Sequence, residues 1–148
     1  MSGQFEAIVE IQRPIEEVFA FLANGENDTK FSPRVIRIAK TTEGPTGVGT
    51  VYTSTVKDAG LTTERQFRIT AFDAPTRIRW AETSKNLVTA KEGGYDLETT
   101  GSGGTRVRIF NQLEGHGVGK ALVRLALSAA RKDSDAFGRR IKAAVEAS

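Results

Sequence analysis

A chain of 148 residues, 39% hydrophobic and 26% charged, is long enough to bury a core without cross-links, and one domain over residues 1–148 is expected. The absence of cysteine excludes disulfides, thiolate metal sites and cysteine nucleophiles, and it fits a reducing, cytoplasmic setting. With 21 Lys and Arg against 18 Asp and Glu, the formal charge of +3 is too small, and the basic residues too interleaved with acids, to imply nucleic acid as a partner.

Residues 1–12 carry Glu6 and Glu10 and lack the apolar stretch of a secretory segment, and no apolar run approaches the length of a membrane span. Residues 5–12 instead alternate as a half-buried strand, with Phe5, Ala7, Val9 and Ile11 on one side. Pro14, Glu16 and Glu17 suit the first turn of a short helix, and Ile15, Val18, Phe19 and Leu22 form its buried stripe. Asn24 and Gly25 end it, and residues 26–32 add a further turn before Pro33.

The grammar then changes to strands over 35–42, 49–57, 61–72, 77–83, 87–99 and 105–113, separated by turn chemistry such as Asp58-Ala59-Gly60, Asp73-Ala74-Pro75 and the glycine run 101–104. The adjacent Gly93 and Gly94 suggest a bulge. Strands joined by short turns pair antiparallel, and the apolar face of such a meander needs a cover. Residues 117–147 supply it. Val118, Leu122, Leu125, Ala129, Ala136, Phe137, Ile141, Ala144 and Val145 recur at steps of three and four on a helix of about 45 Å. Asp133 falls near the middle of that apolar face, with Arg140 close to the same line.

In this order, Pro14-x-x-x-Val18-Phe19-x-Phe21-Leu22, Phe31-Ser32-Pro33, Gly44-Pro45-x-Gly47-Val48-Gly49-Thr50, Thr70-x-Phe72-Asp73-x-Pro75-x-Arg77-x-x-Trp80, Gly103-Gly104-Thr105-Arg106-Val107 and Ile141-Lys142-x-x-x-Glu146 span nearly the whole chain. Together they resemble the polyketide cyclase/dehydrase branch of the START-like, or SRPBCC, superfamily. The resemblance implies an α+β helix-grip fold: a seven-stranded antiparallel sheet curved around the C-terminal helix, with one or two short helices between the first two strands. It also implies a deep pocket for a small hydrophobic or aromatic ligand. It brings no cofactor and no universal catalytic residue. Where such sequences keep an apolar residue facing the pocket from the last helix, this chain has Asp133, so either the register slips or the pocket holds a carboxylate.

With Phe67, Ile69, Ile78, Trp80, Tyr95, Leu97, Val107 and Ile109 facing the helix, alternation sends Arg65, Glu82 and Asn111 to the same side. The candidate ligand-binding set is therefore Arg65, Phe67, Trp80, Glu82, Tyr95, Asn111, Asp133 and Phe137, with Asp133 as the candidate acid or base. The plainer reading is that the polar members sit at strand ends and meet water or one another. Pairing separates the two: a salt-bridged Asp133 is structural, an unpaired one in a dry pocket is chemical.

His116, the single histidine, lies in a glycine-flanked loop with no orienting partner in the sequence. Gly-x-Ser-x-Gly is absent, one histidine without cysteine leaves no metal cluster of recognisable spacing, and residues 101–104 precede a strand rather than a helix, which excludes a phosphate loop. Arg68, Arg77, Arg79, Arg106 and Arg108 are expected on the outer sheet face. Three functions stay open: a binding or carrier protein for an apolar ligand, an enzyme of cyclase/dehydrase type using a pocket carboxylate, and a module that binds a partner at the pocket mouth.

Overall fold

The computed structural model describes residues 2–58 and 60–148. Strand β1 (Ser2–Ile11) leads into helix α1 (Ile15–Ala23) and a 3-10 helix (Gly25–Lys30). Six strands follow: β2 (Val35–Lys40), β3 (Val51–Asp58), β4 (Leu61–Asp73), β5 (Arg77–Glu82), β6 (Val88–Thr99) and β7 (Thr105–Gly115). Helix α2 (Gly119–Glu146) comes last. The strands form one antiparallel sheet in the order β1-β7-β6-β5-β4-β3-β2, the helix-grip α+β arrangement. The expected turn at 58–60 contains Ala59, outside the described residues; Asp58 and Leu61 pair across it.

Alternation gives the two faces of the sheet different chemistry. Outside, Arg106 pairs with Glu10 and Glu98, Arg108 with Glu6 and Asp96, and Arg79 with Asp96. Phe110 carries the Arg79 and Arg108 guanidiniums 4.9 and 4.5 Å from its ring centre. This ladder of neutralising cross-strand pairs is where the sequence places its arginines. Inside, Phe5, Ala7, Ile11, Ile69, Ile78, Tyr95, Leu97, Val107 and Ile109 are buried. Helix α1 adds Val18, Phe19, Phe21 and Leu22, and Phe19 meets Phe72 edge-on at 5.2 Å. Each large apolar side chain buried this way contributes about 1.5–3 kcal/mol.

Helix α2 lies mainly on β1 and β7. Its buried line is Gly119, Val123, Leu127, Gly138, Ile141 and Val145. The expected face is right in the C-terminal half and wrong in the N-terminal half, where Val118, Leu122 and Leu125 are 71%, 42% and 69% exposed and Ala129 is exposed as well. The first turns are apolar on two sides, and periodicity alone does not choose between them. Close contact does: a Cβ on Gly119 would stand 1.9 Å from the Leu87 carbonyl oxygen, and one on Gly3 would stand 2.3 Å from Leu127. The glycines thus seat the helix on its Val123–Leu127 side. In β6 the register shift lies between Ala90 and Glu92, earlier than the expected bulge at Gly93 and Gly94.

Candidate functional site

The inner wall is built around Trp80 of β5. Its indole Nε1 donates to Asn111 Oδ1 of β7 at 3.0 Å, and its ring meets Tyr95 of β6 edge-on at 5.2 Å. Between β5 and β7 the β6 residue is Gly93, where a Cβ would be 2.1 Å from Asn111 Oδ1 and 2.3 Å from Trp80 Nε1. The glycine is there to let the indole and amide meet across it. Phe67 of β4, half-buried, continues the wall towards Tyr52 of β3. Phe137 of α2 packs edge-on against Phe5 at 6.0 Å and Phe31 at 5.9 Å, joining the helix to the sheet and to the end of the 3-10 helix.

Arg65 and Glu82 also turn inward, but towards each other. Arg65 Nη1 donates to Glu82 Oε1 at 3.0 Å and to the Val88 carbonyl at 2.9 Å. The Glu82 side chain is fully buried, and it further accepts from Ala90 N at 2.9 Å and from Ser84 Oγ and Asn86 Nδ2 at 2.7 Å each. Such a fully partnered carboxylate fastens β4, β5, the β5–β6 loop and β6 together at one end of the grip.

Asp133 takes the paired branch of the sequence reading. Arg140 Nη2 donates to its Oδ2 at 2.6 Å, and Arg140 Nε donates to the Phe31 carbonyl at 3.1 Å. The Asp133 side chain is 43% exposed, and the Arg140 hydrogen bond, outweighing some desolvation, holds its carboxyl below the ordinary carboxylate range. Instead of standing in the middle of the buried face, it sits at the edge of the helix, next in sequence to the half-buried Ser134. Its charge is committed to clamping α2 onto the 3-10 helix.

The carboxyl set apart by its surroundings is one that sequence reasoning missed. Asp28, in the 3-10 helix, has its pKa raised to about 7 by burial. No described residue hydrogen-bonds its side chain. Burial likewise raises the Tyr95 phenol well above its usual range, and the Asp28 charge adds to that effect, so the two groups sense each other inside the grip. Tyr95 is 4% exposed, and its hydroxyl also lacks a hydrogen-bond partner among the described residues. Among the described residues, Ser54 Oγ on β3 is the one fully buried side-chain polar atom without a hydrogen-bond partner.

In the sequence, Asp28 looks like one more polar residue of a connecting turn. The available signal was Gly25: a Cβ there would be 2.9 Å from the Tyr52 ring, so the glycine lets the 3-10 helix lie down on the inner side of β3. Chemically, a carboxyl that ionises near neutrality donates a hydrogen bond when protonated and accepts one, or a proton, when ionised.

Two other features take no part in this site. His116 lies half-exposed with its Nε2 2.8 Å from Thr89 Oγ1 and 3.8 Å from Glu114, partners the sequence did not reveal. The shallow outer groove lined by Ile8, Asp96, Glu98, Arg106 and Arg108 is occupied by the ion pairs of the outer ladder. No group of three or more His, Cys, Asp or Glu suited to a metal ion occurs among the described residues. Nor is any helix among them long and apolar enough to cross a membrane.

Residues 2–146 match the family described as polyketide cyclase/dehydrase and lipid transport. Among solved structures, the fold is similar to that of the Zhui aromatase/cyclase from Streptomyces sp. R1128, with a TM-score of 0.81 and 16% identity over 99% of this chain and 94% of that one. It is also similar to TTHA0849 from Thermus thermophilus, with a TM-score of 0.80 and 18% identity over 98% of each chain. A START superfamily protein from Mycobacterium smegmatis gives a TM-score of 0.74 and 13% identity over 97% of each chain. No curated protein matches the sequence.

Proposed function

For a chain that belongs to the polyketide cyclase/dehydrase and lipid transport family, whose members bind hydrophobic ligands or act as polyketide cyclases, we propose a binding or carrier role for a small hydrophobic or amphipathic molecule held between sheet and α2. The observation that carries this reading is the Ser54 hydroxyl, buried without a partner on the inner side of β3, in an interior that also holds the buried Tyr95 and the half-buried, desolvated Asp28 carboxyl. Buried polar groups are satisfied in almost all native structures, and a bound molecule with a matching oxygen would satisfy this one. On this reading Trp80, Phe67 and Phe137 supply the apolar wall and Tyr95, Asn111 and Asp28 orient the ligand. Arg65 and Glu82 act through the shape of the wall, and Asp133 through the placement of α2.

A second reading rests on Asp28 alone. A carboxyl poised near neutrality, whose charge is felt by a phenol that stays protonated, is suited to removing a proton next to a ligand carbonyl while the phenol steadies the resulting enolate. This is cyclase or dehydrase chemistry.

The test is titration of Trp80 emission with a fatty acid and with a hydroxylated aromatic polyketide-like probe, alongside native mass spectrometry of the purified protein. Saturable change in emission is expected for the wild type, with affinity for the hydroxylated probe reduced in Tyr95→Phe and Asp28→Asn. A flat titration across both probe classes would end the carrier reading. Turnover of a poly-β-keto probe by the wild type, lost in Asp28→Asn with binding retained, would move the conclusion to the enzyme.

A further inference from the structure

The apolar line of α2 that the sheet does not use is part of a larger patch. Val118, Leu122 and Leu125 are exposed, and Leu87 of the β5–β6 loop, 50% exposed, stands beside them: its carbonyl accepts from His116 N at 2.8 Å and abuts Gly119. Leu61, 68% exposed, opens β4 at the same end of the sheet, four residues before Arg65 reaches the Val88 carbonyl. The start of α2 and the β5–β6 loop therefore join four large exposed apolar side chains at one end of the grip, and Leu61 lies at the same end of the sheet. Single exposed leucines need no explanation, but a convergent group does.

The charge along the first turns of α2 is basic, although Glu114 beside His116 and Glu64 of β4 stand at the border of the patch. Residues 115–132 contain no Asp or Glu, whereas Lys120, Arg124, Arg131 and Lys132 are all basic, and exposed Lys85 adds to them from the β5–β6 loop. A second copy of the chain docking face to face would bring these cations together, which argues against self-association here. A surface that is apolar within and anionic at its boundary matches both features.

We propose that this end of the molecule docks on an anionic lipid bilayer. Leu61, Leu87, Val118, Leu122 and Leu125 enter the boundary between headgroups and acyl chains, and Lys120 and Lys132 reach lipid phosphates along their own aliphatic stems. Docking is a property of the surface, independent of what the interior holds, and it would bring an interior ligand to the phase from which such molecules exchange.

The test is flotation with vesicles of two parts phosphatidylcholine to one part phosphatidylglycerol, against vesicles of phosphatidylcholine alone. The wild type should float with the anionic vesicles, remain below with the neutral ones, and be released by added salt. Val118→Glu with Leu125→Glu, both at exposed sites, should lower vesicle binding about tenfold or more while leaving melting temperature and probe titration of Trp80 unchanged. Lys120→Ala and Lys132→Ala, which leave the apolar patch intact, should each lower it about fivefold. Equal flotation with neutral vesicles, no flotation with anionic ones, or undiminished flotation of the double glutamate variant would overturn the proposal. So would a dimer in sedimentation that the same double variant dissolves without any vesicle binding.

Discussion

Trp80 and Asn111 hydrogen-bond at 3.0 Å across a strand that separates them, because the residue between them, Gly93, has no side chain. The bond ties β5 to β7 over β6 and fixes the indole on the inner wall. Gly93→Ala would place a carbon about where the bond runs, so one of the two side chains must leave its position. The expected loss is about 2–5 kcal/mol from overpacking and the broken bond, read by denaturant unfolding, together with a shifted Trp80 emission maximum. Unchanged stability and emission would mean that the pair is not formed in solution.

Asp28 makes a prediction about pH. Its carboxyl is protonated more readily in the folded chain, with a pKa of about 7 against an ordinary 3.8 for a free aspartate. Between those values the native state binds more protons than the unfolded one, so stability falls as pH rises from about 4 to 7 and then levels off. The upper bound on this cost is about 4 kcal/mol at pH 8, and partial exposure and relaxation reduce it. Asp28→Asn should therefore raise the melting temperature above neutrality and flatten its decline across that window. A variant that lowers stability equally at every pH would show that Asp28 is partnered rather than desolvated.

The contrast between Asp28 and Asp133 shows how far the sequence could be read. Strand alternation and turn chemistry are local, so the order of elements, the antiparallel meander and the inward set of Trp80, Tyr95, Asn111, Arg65 and Glu82 followed from spacing. That Arg65 and Glu82 face each other depends on register, which spacing does not set. Asp133 drew attention because it interrupted an apolar helix, yet the N-terminal half buries Val123 and Leu127 in place of Leu122 and Leu125, which leaves Asp133 at the edge, where Arg140 takes it up. Asp28 drew none, because a 3-10 turn has no face to interrupt. Its burial arises only when Gly25 lets that turn settle over Tyr52, a tertiary event without a periodic trace.

The two apolar lines of α2 are separable by mutation. Leu127 is 6% exposed and touches the place where a side chain on Gly3 would be, so Leu127→Ala should cost about 2–5 kcal/mol. Leu125, 69% exposed, should give a change within about 0.5 kcal/mol when replaced by alanine. Thermal unfolding of the two single variants decides the helix register. Equal losses, or a larger one for Leu125, would return the helix to the face that periodicity alone suggests.

The two acidic residues of the expected site that form ion pairs should also behave unequally. Asp133 and Arg140 are 43% and 34% exposed as side chains, so Asp133→Asn should cost no more than about 1 kcal/mol. Because the Arg140 hydrogen bond depresses the Asp133 carboxyl, that contribution is present above the unfolded carboxylate range and disappears as pH falls through the folded value. Glu82 is different: its side chain is wholly buried, and Arg65, Ser84, Asn86 and the Ala90 amide all donate to it. Glu82→Gln keeps the shape, but it removes the charge opposite Arg65 and turns an amide donor towards donors. The expected loss is about 3 kcal/mol, several times that of Asp133→Asn, measured by urea unfolding of both variants at neutral pH. Because β5, the β5–β6 loop and β6 are fastened through this one carboxylate, the loss should be accompanied by faster amide exchange at Val88 and Ala90. Protection there equal to wild type would mean that the strands hold the wall without it.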